Sequence, residues 1–310
     1  MSSRERRRTL SKKAFLFPGQ GAQKIGMGQS FYEADADARA VFEEASEILG
    51  YDMKALCFEE NEKLNLTQYT QPAMVTTGIA ILKVVEKRGL TPDTAAGLSL
   101  GEYEALYAAG ALSAQDAIRV VARRGELMEA AVPAGVGAMA AVLGAEAALI
   151  EETLSDIPEV WIANYNCPGQ IVISGKKEAV EAAAEALKAR GVKRVLMLNV
   201  SGPFHSGLLR EAGEELGKVL AETEIHPLRI PYYANVTGDK VEDAAKVREL
   251  LTEQVYSSVR FEQSIRNMLA AGVDTFYELG PGKTLAGFVK KIDRAATVVN
   301  IETMEDLAKL

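Results

Sequence analysis

Gly97-Leu98-Ser99-Leu100-Gly101 reads Gly-x-Ser-x-Gly, the spacing of a serine nucleophile held on a sharp strand-to-helix turn. Side chains two residues either side of such a turn would collide, so glycine is wanted there. The serine hydroxyl then stands at a helix N-terminus, where free backbone N–H groups stabilise an oxyanion. The flanks fit. Thr94, Ala95 and Ala96 follow the turn Thr91-Pro92-Asp93 and predict a strand. Glu102 to Ala109, with Tyr103, Leu106 and Tyr107 on one side, predicts a helix that stops at Gly110. A glycine-rich turn with a serine N-cap is the non-catalytic alternative.

A serine nucleophile needs a base. The chain has 2 histidines, His205 and His226. His226 precedes Pro227 in a polar stretch with no special feature. His205 lies in Ser201-Gly202-Pro203-Phe204-His205-Ser206, where an inserted unit hands back to a larger domain. Clefts between domains are common places for a site, so His205 is the candidate base. In α/β-hydrolases the histidine comes last, near the C-terminus; here about 100 residues follow it, which disfavours an ordinary esterase.

Arg124 supplies the substrate clue. On the helix from Ala114, the residues Ala117, Val120, Val121, Leu127, Met128 and Ala131 form an apolar stripe. Arg124 falls inside that stripe, whereas Arg123 lies off its centre. A buried guanidinium is costly without an anion. Either an internal Asp or Glu pairs with it, or it is a fork for a substrate carboxylate, whose shape arginine matches bidentately.

The elements that must position these residues read as α/β. The 310-residue chain is 48% hydrophobic and 25% charged, ordinary for a globular protein. Its net charge is −8; the first 13 residues carry +5, six basic side chains against Glu5, which leaves −13 for the remainder. So acidic a body argues against nucleic-acid binding. The basic leader has no apolar segment of a secretory signal and is expected to be a disordered tail, residues 1–13. No apolar run reaches membrane-spanning length. The 2 cysteines, Cys57 and Cys167, stand apart from any metal-ligand spacing and are expected as free thiols in a reducing compartment.

Ala14 to Phe17 predicts a buried first strand, followed by the glycine- and amide-rich turn Pro18 to Gln23. Helices are expected at about 30–49 and 71–88, the second with Pro72 near its start, and from Ala114 to about 131 behind the cap Ser113. Residues 133–202 read differently: strand 137–143, helix 146–154, strands 160–163 and 170–174, helix 177–190, strand 195–200. That order, βαββαβ, is ferredoxin-like. It would be a small domain inserted in a large parallel-sheet domain formed by 14–132 and 203–310. The second part holds helices 208–221, 244–254 and 262–271, strands 230–234 and 275–279, and the turn Gly280-Pro281-Gly282-Lys283. A phosphate-binding Walker loop would need glycine where Tyr277 stands, so that turn is read as a helix lead-in.

Phe17-Pro18-Gly19-Gln20-Gly21-Ala22-Gln23, Gly97 to Tyr103, Arg123-Arg124-Gly125, Asn164 to Gln170 and Gly280 to Lys283 together resemble the malonyl-CoA:acyl carrier protein transacylase family, in order across about residues 13–295. The resemblance implies a hydrolase-like α/β domain with a ferredoxin-like insertion. It implies an acylated serine at Ser99, its base at His205 and the arginine for the malonyl carboxylate at Arg124. It gives the backbone N–H groups of Gln20 and Leu100 as the oxyanion hole. Gln254 is implied as the glutamine whose carbonyl orients the histidine. Leu98 departs from the histidine that many members carry before the serine. Phe204-His205 fits the malonyl-type pair.

The implied function is a cytoplasmic acyltransferase of fatty acid biosynthesis. It would move malonyl from coenzyme A to the phosphopantetheine thiol of acyl carrier protein through a malonyl-serine, ping-pong. No cofactor or metal is implied, since the coenzyme A thioester is a substrate. The expected partners are malonyl-CoA and acyl carrier protein, not nucleic acid or membrane, and a monomer is compatible. The alternatives are a serine hydrolase or thioesterase acting on a carboxylated acyl ester, and a non-catalytic carrier-binding module. Lys290, Lys291 and Arg294 could give the acidic carrier a basic patch, though a solvated helix face explains them as well.

Overall fold

The structure, a computed structural model, describes residues 11–133, 135–200 and 202–310. In chain order its strands are β1 (Lys12–Phe17), β2 (Thr94–Gly97), β3 (Gly137–Leu143), β4 (Val160–Cys167), β5 (Gln170–Lys176), β6 (Arg194–Met197), β7 (Tyr232–Tyr233), β8 (Lys240–Val241), β9 (Val273–Leu279) and β10 (Thr297–Ile301). They form two sheets, ordered β10-β9-β1-β2-β7-β8 and β4-β5-β3-β6. In the first, β10, β9, β1, β2 and β7 run parallel and β8 closes the edge antiparallel to β7.

β1 sits at the centre because both its faces are apolar. Phe15 and Phe17 enter the core on one side of the sheet, and Ala14 and Leu16 enter the core on the other. That alternation is the period of a strand buried on both faces. The long helix Thr67–Lys87 fills the first side and packs on Ala114–Ala130. Helices Phe261–Ala270 and Thr284–Ile292 cover the second.

The second sheet is antiparallel, and helices Ala147–Ser155 and Lys177–Ala189 cover one face of it. Its strand order is that of the ferredoxin-like βαββαβ unit. The molecule is therefore a hydrolase-like parallel-sheet α/β fold carrying a ferredoxin-like unit. The other face of the small sheet turns toward the large one, with Met139, Ala141 and Val172 lining the cleft between them. None of the described helices is long and apolar enough to cross a membrane.

Several boundaries differ from expectation. Lys12 and Lys13, assigned to the tail, open β1, because they pair with Val273 and Thr275 of β9; residues 1–10 of the expected tail lie outside the described residues. The helix expected at 30–49 is two, Gln29–Ala34 and Ala36–Leu49, split where Asp35 turns extended and caps the second by accepting from the Asp37 N–H. The helix expected from 71 begins at Thr67, so Pro72 is inside it. The burial of this helix on all sides offsets the hydrogen bond that an interior proline removes. The helix expected at 244–254 opens as a 3₁₀ turn, Ala244–Lys246, before Val247–Gln254. Strand β6 ends at Met197, short of the expected 200, and Ser201 lies outside the described residues.

Candidate active site

β2 delivers the chain to Leu98-Ser99-Leu100, and helix Gly101–Ala108 leaves it. Ser99 takes φ 53°, a left-handed conformation that a serine adopts only under constraint. The two glycines permit it. A Cβ on Gly97 would overlap the Gly101 carbonyl, and one on Gly101 would overlap the Phe17 carbonyl. Asn235, just past β7, then clamps the turn. Its Oδ1 accepts the Ser99 N–H at 2.7 Å, and its Nδ2 donates to the Gly97 carbonyl at 2.7 Å.

His205 stands over the serine. Its Nε2 is 2.6 Å from Ser99 Oγ, and its Nδ1 is 2.8 Å from the Gln254 carbonyl. The carbonyl only accepts, so Nδ1 carries the proton and Nε2 is left to accept from the serine hydroxyl. Burial, together with the charge of Arg124 beside it, pulls the histidine pKa down to about 4. The imidazole is therefore neutral at neutral pH. No carboxylate is needed to hold it; a backbone carbonyl does so. His226 is elsewhere, half-exposed, with its N–H on the Ala111 carbonyl and its Nδ1 3.6 Å from Glu224.

Arg124 is 1% exposed, while its neighbour Arg123 reaches outward to Glu126 at 2.7 Å. Among the described residues no carboxylate lies within ion-pair distance of Arg124, so the internal-pair alternative is not what the structure holds. Its donors meet neutral groups instead: Nη1 to Gln71 Oε1 at 2.8 Å, and Nη2 to Gln254 Oε1 at 3.0 Å and to Ser99 Oγ at 3.2 Å. The Tyr103 ring stacks 5.6 Å from its carbon centre. Nε has no partner.

The N–H groups of Gln20 and Leu100 have no acceptor among the described residues. Gln20 is on the turn after β1, its side chain tied to Thr67 at 3.0 Å; Leu100 is the residue before the elbow helix. Both turns lie at the carboxyl ends of adjacent parallel strands, where an α/β sheet places its ligands. The cleft there, about 840 Å³, is lined by Gln20, Ser99, Arg124 and His205 on one side and by Asn164 and Val172 of the small sheet on the other.

The structure thus brings Ser99, His205, Arg124 and Gln254 into one hydrogen-bonded group and opens Gln20 beside it. Four supporting residues were not found by sequence reasoning. They are Asn235, Gln71, the buried Glu102, and Glu278, whose carboxylate accepts the Leu285 and Ala286 N–H groups and so fixes the helix Thr284–Ile292 at the cleft. Asn235 directly follows the strand expected at 230–234, and only the elbow's need for a clamp could have pointed to it. Lys290 Nζ turns back onto the Ala296 and Arg294 carbonyls. Lys291 approaches Gln170, a lining residue, at 3.3 Å.

Residues 14–305 match the family described as acyl transferase domain. The chain is 49% identical over 303 residues to the malonyl CoA-acyl carrier protein transacylase of Bacillus subtilis, covering 96% of each. Its fold superposes on the crystal structure of the Clostridium perfringens malonyl CoA-acyl carrier protein transacylase with a TM-score of 0.94, at 44% identity and 96% coverage of both chains. It superposes with a TM-score of 0.93, at 38% identity and 96% and 98% coverage, on a malonyl-transacylase solved in complex with a type II PKS acyl-carrier protein.

Proposed function

The chain belongs to the malonyl CoA-acyl carrier protein transacylase family and is an acyltransferase, and from that premise we propose how its own residues carry the transfer. Ser99 Oγ attacks the thioester carbonyl of malonyl-CoA while His205 Nε2 takes the hydroxyl proton. The negative charge on the carbonyl oxygen falls to the N–H groups of Gln20 and Leu100. The tetrahedral intermediate collapses, the C–S bond breaks, and the coenzyme A sulfur leaves with the proton from His205. The phosphopantetheine thiol of acyl carrier protein then gives its proton to His205 and attacks the malonyl-serine by the same route in reverse.

Gln254 supports this in two ways: its carbonyl holds the histidine tautomer, and its side chain holds Arg124. The one observation that carries the malonyl reading is Arg124, a buried guanidinium without a carboxylate partner whose Nη2 lies 3.2 Å from the serine oxygen. A carboxylate on the acyl group fits that fork. The coenzyme A thioester is a substrate, and no further group is required. The same reading places the enzyme in the cytoplasm, with acyl carrier protein as its partner and Lys291 at the docking edge.

Mass spectrometry of the intact protein after mixing with malonyl-CoA tests the route. One malonyl group should add to the wild type, vanish on adding carrier protein, and be absent from Ser99→Ala. His205→Ala should acylate slower by a factor of ~10²–10⁴, whereas His226→Ala should keep the wild-type rate. A full adduct on Ser99→Ala would put the chemistry elsewhere. An adduct lost to water as fast as to the carrier thiol would make the protein a thioesterase.

A further inference from the structure

Glu102 is the first acidic residue of the elbow helix and has no part in the transfer above. It is wholly buried. Its Oε2 accepts the Gln254 side-chain N–H at 2.7 Å and the Asn235 backbone N–H at 3.1 Å, and its Oε1 has no partner. The same Gln254 amide accepts Arg124 Nη2 on its oxygen at 3.0 Å. One amide therefore joins the two charged groups end to end, guanidinium to oxygen and N–H to carboxylate. The amide dipole is aligned to favour a cation at one end and an anion at the other. Tyr103 also acts on Arg124, its ring 5.6 Å away, but no described carboxylate lies within ion-pair distance, and Glu102 is the carboxylate whose charge acts on it.

We propose that Glu102 is the balancing charge of Arg124 before substrate binds, and that it gives up this role by taking a proton when the acyl carboxylate docks on the guanidinium. This rests on the malonyl reading above. Two anions around one cation in a dry space do not both stay ionised. The substrate carboxylate can take the arginine fork directly. Glu102 is one amide removed and has an unpartnered oxygen ready for the proton, which comes from water. Recognition of a carboxylated acyl group is then proton-linked, and Glu102 is a residue that sets acyl selectivity with pH.

The other groups around Glu102 do not titrate near neutrality. His205 is held down to about 4. Tyr103 and Tyr232 are raised above their ordinary range by burial. Arg124 stays charged. Glu102 itself is raised to about 7, burial being the largest cause.

The test is calorimetry on Ser99→Ala, which binds without turnover, at pH 7 in two buffers of different ionisation enthalpy. Malonyl-CoA should take up about half a proton more than acetyl-CoA, as a group titrating near that pH requires. The two esters carry the same phosphates, so their difference isolates the acyl carboxylate. In Ser99→Ala/Glu102→Gln, which keeps the carbonyl acceptor and removes the ionisation, the difference should vanish. Equal uptake for both esters, or a difference that survives Glu102→Gln, overturns the proposal. Should Ser99→Ala bind too weakly, the pH profile decides. The wild-type malonyl-to-acetyl ratio of kcat/KM should fall above pH 7, toward about tenfold per pH unit, and be flat in Glu102→Gln. A merely structural Glu102 would lower both esters alike and leave the slope unchanged. Failure of the malonyl reading shows separately, as a wild type that forms no malonyl-serine.

Discussion

The serine, histidine and arginine each do something their types do poorly in water, and burial is the reason. His205 can stay neutral and accept a proton because desolvation and the adjacent guanidinium disfavour its charged form. Arg124 cannot shed its charge, so it is held among amides and an aromatic ring with no described carboxylate in ion-pair contact. In the transfer proposed above, removing it strips one side of the charge pair formed with the acyl carboxylate. Such truncations cost on the order of 2–5 kcal/mol, or roughly 30- to several-thousand-fold in malonyl transfer. Arg124→Ala should lose malonyl transfer to that extent and acetyl transfer far less. The measurement is the malonyl-to-acetyl ratio of kcat/KM, with melting temperature beside it. An unchanged ratio with a lowered melting temperature would make the arginine structural. Its position was legible because a charged residue in an apolar helical stripe stands out at the helix period. Glu102 and Gln71 were not legible: each sits in a segment buried on every side, so no periodic contrast marks it.

At the scale of elements, the elbow is a strained turn kept in place from outside. Ser99 and His205 both have positive φ, and Asn235, 136 residues from the serine, fixes the first. Asn235→Ala leaves the Ser99 N–H and the Gly97 carbonyl without their partners and lets the turn relax. Small misplacements of a reacting group can cost ~10²-fold. Single-turnover acylation should slow by roughly 10- to 100-fold while KM for malonyl-CoA changes little, since Arg124 and the cleft walls remain. A raised KM with an unchanged acylation rate would assign Asn235 to binding instead. The elbow's strand, turn and helix could be read locally because glycines and apolar spacing are local signals. So could the order of the βαββαβ unit. The clamp could not, because a contact between β2 and the end of β7 is a property of sheet order. β10 (Thr297–Ile301) and the closing helix Met304–Ala308 were missed because five-residue elements at a sheet edge carry too few apolar positions to show a period.

The whole molecule contains more buried acid than its transfer chemistry uses, and this sets how its stability depends on pH. Glu102 and Glu278 are both raised by burial to about 7, and Glu104 well above the usual carboxylate range. Glu104 packs against Gly78 under the long central helix, and its Oε2 has no partner. A folded-state pKa above the unfolded value means that the folded chain holds a proton the unfolded chain has released. The stability from such a group is whole below about pH 4.5 and is lost as pH rises toward the folded pKa. His205 works the other way, its pKa being depressed, but only between about 4 and 6.5. Above pH 6.5 the acids act unopposed by it. The melting temperature should therefore fall from pH 6 to pH 8. Glu104→Gln preserves shape and removes one linked proton, so it should raise the melting temperature at pH 8 more than at pH 5.5. Each excess proton held by the folded state is worth about 1.4 kcal/mol per pH unit, so the two curves should separate steadily across that range. Scanning calorimetry of both proteins from pH 5.5 to 8.5 makes the comparison. Parallel curves would mean that Glu104 is ionised in the folded protein, with a compensating group beside it.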